Sequence, residues 1–211
     1  MAIQISIVKI AGKSYTNTVA KPYHHGDLHE QLLNAGEAAL GEMPVEKVTL
    51  REIARRAGVS HAAPKHHFHS LGHLLAEIAA RGYRRFIAAL KEGADSVSHQ
   101  TPENRLFGMG RAYVQFASEN AAAYSLMFGQ REPVVMTPNL IDASYEAWSE
   151  MESAVAAVTG PGGASAGALH LWSSVHGLSM LLQARRLPPD VTIHNVREHQ
   201  LRMIVQGLKS E

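Results

Sequence analysis

Three observations predict an all-α fold for this chain of 211 residues. From Asp27 almost to the C-terminus, apolar residues recur at spacings of three and four, the period of a helix with one buried face. Residues able to cap a helix stand ahead of several of these runs, and glycine or proline stands behind them. Alternation of period two, the mark of a half-buried strand, is nearly absent after the first twenty residues.

Taken in order, residues 1–21 form a leader. Ile3, Ile5 and Ile7 alternate with Gln4 and Ser6, so a short docked strand is one expectation and a disordered leader the other. Lys9 interrupts this apolar stretch and no basic segment precedes it, which argues against a secretory signal. Asp27 with Glu30 forms a capping-box pattern at the head of a helix bearing Leu28, Leu32, Ala35, Ala39 and Leu40, and Gly41 and Pro44 stop it. Thr49 with Glu52 repeats the pattern ahead of a short helix that Gly58 ends, and Ser60 is placed to cap another. A longer helix follows Ser70, through Leu74, Leu75, Ile78 and Phe86, to about Glu92. Polar residues 94–101 break it. Further helices are expected over roughly 103–119, 121–128, 140–158, 165–187 and 191–208, separated by residues 131–139, by the Gly-rich segment 160–165 and by Pro188–Pro189.

Composition removes several kinds of protein. There are no cysteines, so disulfides and thiolate chemistry are excluded, in keeping with a cytoplasmic setting. No apolar run reaches the roughly 20 residues that span a bilayer, so no membrane partner is expected. The chain holds 13 histidines. Yet no Ser or acid stands with one in a catalytic pattern and no Gly-rich phosphate loop follows a strand, so no enzyme and no cofactor are expected.

Residues 49–67 have the requirements of a helix-turn-helix. Two short helices must cross closely, and Ala54 is small enough for the crossing. The turn needs a residue tolerant of positive φ, which Gly58 supplies. Leu50, Ile53 and Val59 are spaced to pin the pair to a third helix. Ser60 would then cap a second helix whose start faces a DNA groove. Lys47, Arg51, Arg55, Arg56 and Lys65 oppose only Glu52 in this window, and His61, His66, His67 and His69 lie in it too. A basic patch confined here is what phosphate contact needs, whereas 21–46 is acidic. The plainer reading, a solvated basic face, does not explain the Ala–Gly–Ser spacing or the capping box.

These residues carry a resemblance. "TLREIARRAGVSHAAPKHHFHSLGHLLAEIAARGYRRF" resembles the DNA-binding domain of TetR-family transcriptional repressors, and "KPYHHGDLHEQLLNAGEAAL" resembles their first helix in one branch. Farther on, "AYVQFASENAAAYSLMFG" and "LHLWSSVHGLSMLL" resemble the C-terminal domain of that branch, which carries a Trp-x-x-x-His-Gly (WHG-type) signature, here Trp172, His176 and Gly177. The resemblance implies a three-helix DNA-binding domain over 22–69 and a ligand-binding and dimerisation domain over 70–211. It implies a cytoplasmic homodimer, joined through its last two helices, that binds a pseudo-palindromic double-stranded operator and releases it when an effector of unknown identity enters. An aromatic commonly stands in the family where Lys65 stands here, and a lysine where Leu71 stands, so one expected phosphate contact is lost.

Site residues follow from this arrangement. His61, Ala62 and Lys65 are candidates for base edges: Lys65 for guanine O6 or N7, the Ala62 methyl for a thymine methyl. Thr49, Arg51, His66 and His67, with Ser60 at the cap, are the other candidates for DNA contact, chiefly to phosphates. Phe68 reads as core. Pro64 removes one backbone donor and disfavours helical dihedrals at Ala63, so an irregular or 3₁₀-like start is expected. In the C-terminal half, Tyr113, Phe116, Met127, Phe128, Trp172 and His176 are candidate lining for a pocket that takes a largely apolar molecule. The plainer reading of each is core packing.

Two alternatives remain. His69 and His73, four apart, have the spacing to share a metal, but no cysteine or paired carboxylate stands beside them and the basic face repels cations. A helical interaction module without DNA binding is the other.

Overall fold

The computed structural model describes residues 9–10, 13–14, 25–129, 133–188 and 193–208. Eight α-helices make up nearly all of it: α1 His25–Glu42, α2 Leu50–Arg56, α3 Leu71–Asp95, α4 Pro102–Glu119, α5 Ala121–Phe128, α6 Pro138–Thr159, α7 Ala164–Gln183 and α8 Ile193–Leu208. Ahead of them Lys9–Ile10 pairs antiparallel with Lys13–Ser14. The alternating Ile3, Ile5 and Ile7 lie outside the described residues. The fold is all-α, as periodicity predicts.

α3 is the spine, and two apolar cores meet on it. Its first turns bury Leu74, Leu75 and Ile78 against Leu28, Leu32 and Leu33 of α1, Ile53 of α2 and Phe68. Its later turns bury Tyr83, Phe86, Ile87 and Leu90 among α4, α5, α6, α7 and α8. Each fully buried side chain of this size contributes roughly 1.5–3 kcal/mol relative to exposure. Polar ties cross between α1 and α3: Arg81 bonds Glu30 and Asn34, and Arg85 bonds Glu37.

Four of the α-helices start on a side-chain cap, whereas α5 and α7 start without one. Thr49 accepts from the Glu52 amide at 3.1 Å, Ser70 from His73, Thr101 from Asn104 and Thr137 from Leu140, each at 3.3 Å. Pro102 and Pro138 occupy first helical positions, where a missing N–H costs nothing. α1 is already helical at His25, ahead of Asp27, the expected cap. Among the ends, α7 stops at Gln183 rather than near 187, because Arg185 turns to a positive φ of 52°. Among the described residues no helix is long and apolar enough to cross a membrane.

Candidate nucleic-acid interface and cavity

α2 and the segment after it form the compact corner read in the sequence. Ala54 is fully buried, and its carbonyl accepts the Val59 amide at 3.0 Å, which folds the chain back just after the helix. Gly58 makes the turn at φ 69°. Past the turn the 3₁₀ geometry expected from Pro64 is present, but the α-helix expected with it is not. Ser60 caps no α-helix; the element is a 3₁₀ turn, Ala63–His66, with Ala62 at its N-cap and no side-chain cap bond. Its bonds run between residues three apart, Ala63 to Ser60, Lys65 to Ala62 and His67 to Pro64, at 3.0–3.2 Å. Pro64 is the cause: an α-helix capped at Ser60 would need the Pro64 amide as donor to the Ser60 carbonyl, and Pro64 has none. Pro64 is itself buried, and its carbonyl takes the Phe68 amide at 2.8 Å, leading Phe68 into the core.

Thr49, Arg51, Ser60, His61, Ala62, Lys65 and His66 are all exposed on this corner. His67 is not: it is half-buried, its ring 6.0 Å from that of His29, while Phe68 stacks on His29 at 4.8 Å. The basic patch is smaller than a count of charges implies. Glu52 takes Arg55 through two bonds of 2.7–2.8 Å and Arg56 through one of 2.8 Å. Glu42, at the end of α1, takes Arg56 at 2.8 Å as well. Hydrogen bonds from Arg55 and Arg56 hold the Glu52 carboxyl down at about 2. Lys47, Arg51 and Lys65 form no ion pair among the described residues and supply the outward charge. The His69 and His73 rings lie edge to face at 5.4 Å, with His73 Nδ1 engaged by the Ser70 hydroxyl at 2.9 Å. Among the described residues no three potential ligands gather as a metal site.

The second feature is a cavity of about 470 Å³ between α3, α5, α6 and α7. Met127, Phe128, Trp172 and His176 line it, with Tyr83, Leu126, Val134, Met136, Leu140, Ser144, Leu169 and Ser173. Its size is that of sites for small organic ligands, roughly 300–1,000 Å³. Tyr113 and Phe116 do not line it. Both are buried behind its wall, packed edge-on and tilted against Phe86 at 4.9 and 5.2 Å. Tyr113 still acts on the cavity, because Trp172 Nε1 donates to its hydroxyl at 3.0 Å and that hydroxyl lies 3.1 Å from His176 Nδ1. Tyr124, 2.6 Å from the same nitrogen, completes the cluster. Burial pushes the Tyr124 hydroxyl up to about 12, raises that of Tyr113 further, and lowers the proton affinity of His176. Tyr124 was missed in the sequence, although it precedes Met127 and Phe128 by three and four residues and so shares their helix face.

A helix-turn-helix with exposed cations around its second element, carried at one end of a helical body that holds a half-open cavity, defines a DNA-binding regulator with an appended helical domain. Residues 32–78 match the family model described as bacterial regulatory proteins, tetR family, and residues 106–204 match a tetracyclin repressor-like C-terminal domain. The chain belongs to the tetR family of DNA-binding transcription regulators and is not an enzyme. A protein of unknown function from a Rhodococcus species is 31% identical, covering 90% of this chain and 100% of its own, with a TM-score of 0.78. The fold is also that of a TetR family transcriptional regulator from Thermus thermophilus (18% identity, 83% and 97% covered, TM-score 0.60). A regulatory protein of the same family from Rhodococcus is similar in fold too (17%, 86% and 96%, TM-score 0.63). No curated protein matches the chain significantly.

Proposed function

We propose that the protein is a repressor that binds a pseudo-palindromic operator as a homodimer and leaves it when a small molecule fills the cavity. The observation that carries this reading is a shared wall. Leu126 and Val134 line the cavity and also pack against the core of the helix-turn-helix. The Val135 amide bonds the Gly72 carbonyl, in the first turn of α3 and four residues past Phe68. Cavity contents that displace Val134 therefore press on the start of α3, and with it the 3₁₀ turn. The division is residues 22–69 for DNA and 70–211 for effector and partner, acting in the cytoplasm. Effector entry weakens DNA binding by altering the separation of two reading elements that must stand about 34–36 Å apart.

His61, Ala62 and Lys65 are the base-reading group in this proposal. Thr49, Arg51, Ser60 and His66 meet phosphates, with His67 at the half-buried edge. The homodimer forms through α7 and α8, which leave Leu169, Met180, Leu181 and Met203 exposed. Gel shifts on the DNA upstream of the protein's own gene test the reading. Retardation that weakens steeply with salt is expected. Replacing Lys65 with Ala is expected to cost about 1–3 kcal/mol and to relax preference at one base position. Absence of retardation at low salt would sink the DNA-binding proposal, and equal loss on all sequences would move Lys65 to the phosphates.

A further inference from the structure

The cluster behind the cavity has one hydrogen arrangement that satisfies it, and that arrangement decides what His176 offers a ligand. Trp172 Nε1–H can only donate, so the Tyr113 oxygen accepts it at 3.0 Å. If His176 Nδ1 carried a hydrogen, it would donate to Tyr124 at 2.6 Å. The hydrogens of Tyr113 and Tyr124 would then have only each other's oxygen, across 3.2 Å, and two hydrogens cannot share one such gap. Ser179, the other hydroxyl near Tyr124, gives its hydrogen to the Val175 carbonyl at 2.7 Å, and its oxygen, although free to accept, makes no hydrogen bond of acceptable geometry with Tyr124. One buried hydroxyl would be stranded, a costly arrangement. With Nδ1 bare, Tyr113 donates to Tyr124, Tyr124 donates to Nδ1, and every hydrogen finds an acceptor. The neutral ring must then carry its hydrogen on Nε2.

Nε2 has no hydrogen-bond partner among the described residues, whereas every fully buried side-chain polar atom described has one. It therefore reaches open space, and the space beside His176 is the cavity. The described lining includes no Lys, Arg, Asp or Glu, so none of these residues offers an ionised ligand a counter-charge. Phe128, Trp172, Met127 and Leu140 supply apolar walls.

We propose that the cavity selects uncharged, largely apolar molecules bearing a carbonyl-type hydrogen-bond acceptor, recognised by His176 Nε2–H. The proposal rests on the cavity being the effector site. Tyr113, Tyr124 and Trp172 are positioning residues: they hold the imidazole in the tautomer that donates outward. Burial, which disfavours the imidazolium, acts in the same direction.

The test is calorimetric titration of the full-length protein with three probes of similar shape: 2-acetylnaphthalene, 2-ethylnaphthalene, which lacks the acceptor, and the cation of 1-naphthylmethylamine. The ketone is expected to bind about tenfold or more tightly than the hydrocarbon, the effect of one hydrogen bond in a desolvated site, with the cation weakest. Equal binding of ketone and hydrocarbon, or tightest binding of the cation, overturns the donor assignment while leaving the cavity as the effector site. If none of the three binds, the effector-site reading falls with it. His176→Gln, whose amide N–H₂ stands near the Nε2 position, is expected to keep the preference, and His176→Leu to abolish it. Nitrogen NMR of histidine-labelled protein reads the tautomer with no ligand present: a hydrogen on Nε2 supports the proposal, and one on Nδ1 overturns it.

Discussion

Glu52 is the third residue of α2, and it has three uses. Its amide is the donor that Thr49 caps, and its carboxylate gathers both Arg55 and Arg56. Those bonds hold its carboxyl at about 2, against an ordinary 4.5. A folded-state value below the unfolded one means that the stabilisation is complete above about 4.5 and is lost as the pH falls toward 2. Glu52→Gln is therefore expected to lower the thermal midpoint at pH 7, and the gap from wild type is expected to close as acid is added through that window. A gap that persists unchanged to pH 2 would assign the loss to packing instead. Arg55 is exposed, so the effect is expected to be small and to shrink with salt. The pairs within α2 are legible from spacings of three and four. Glu42 is not, because its contact with Arg56 crosses the loop between α1 and α2.

At the scale of elements, the segment after Gly58 shows how one residue changes a secondary structure. Propensity and the Ser60 signal favour an α-helix; Pro64 leaves a 3₁₀ turn in its place, with tighter turns and side chains three apart eclipsed. His61, Ala62 and Lys65 consequently sit on a shorter, more strongly turned platform than a helix capped at Ser60 would provide. Gly72 is the second critical point. A Cβ there would collide with the Pro133 carbonyl oxygen and would stand 2.7 Å from Val135 Cγ2. Gly72→Ala is expected to destabilise the protein by roughly 1–3 kcal/mol through overpacking, measured by urea denaturation. Gly41→Ala, where a Cβ meets nothing within 4 Å, is the control and is expected to be neutral or mildly stabilising. Equal effects of the two would mean that the contact of 133–135 with α3 contributes little.

For the whole molecule, the exposed apolar residues of α7 and α8 are the feature a lone subunit leaves unexplained. Met203 is 60% exposed and Leu181 46%, and both line a groove of about 630 Å³ with Leu178, Leu187 and Val196. It is the surface on which the proposed homodimer would close. Sedimentation is expected to find a dimer in the wild type and a monomer after Met203→Glu, with DNA retardation lost alongside. A wild-type monomer would remove the two-half-site reading. Inside the subunit, Glu198 of α8 is buried and bonded to Arg111 and Arg197; burial raises its carboxyl, and the two guanidinium groups more than offset this. The Arg111–Glu198 pair ties α8 to α4.

The sequence by itself determined what depends on local periodicity and backbone chemistry. It set the helical class, the capped start at Thr49, the long helix after Ser70, the turn at Gly58 and the burial of Phe68, because each is decided within a few residues of chain. It also offered Met127, Phe128, Trp172 and His176 as candidate lining; that their two helices meet is a result of packing. Only the tertiary structure decided which of their neighbours line the cavity and which stand behind it. Tyr113 and Phe116 have the same composition signal as the lining residues, yet the crossing of α4 under α3 turns them away. Tyr124 meets His176 only because α5 and α7 pack together, and the direction of the hydrogen bonds in that cluster follows from distances between residues 11 to 63 apart in the chain. Periodicity reports which face of a helix is buried; which partner that face meets is fixed by how the helices pack.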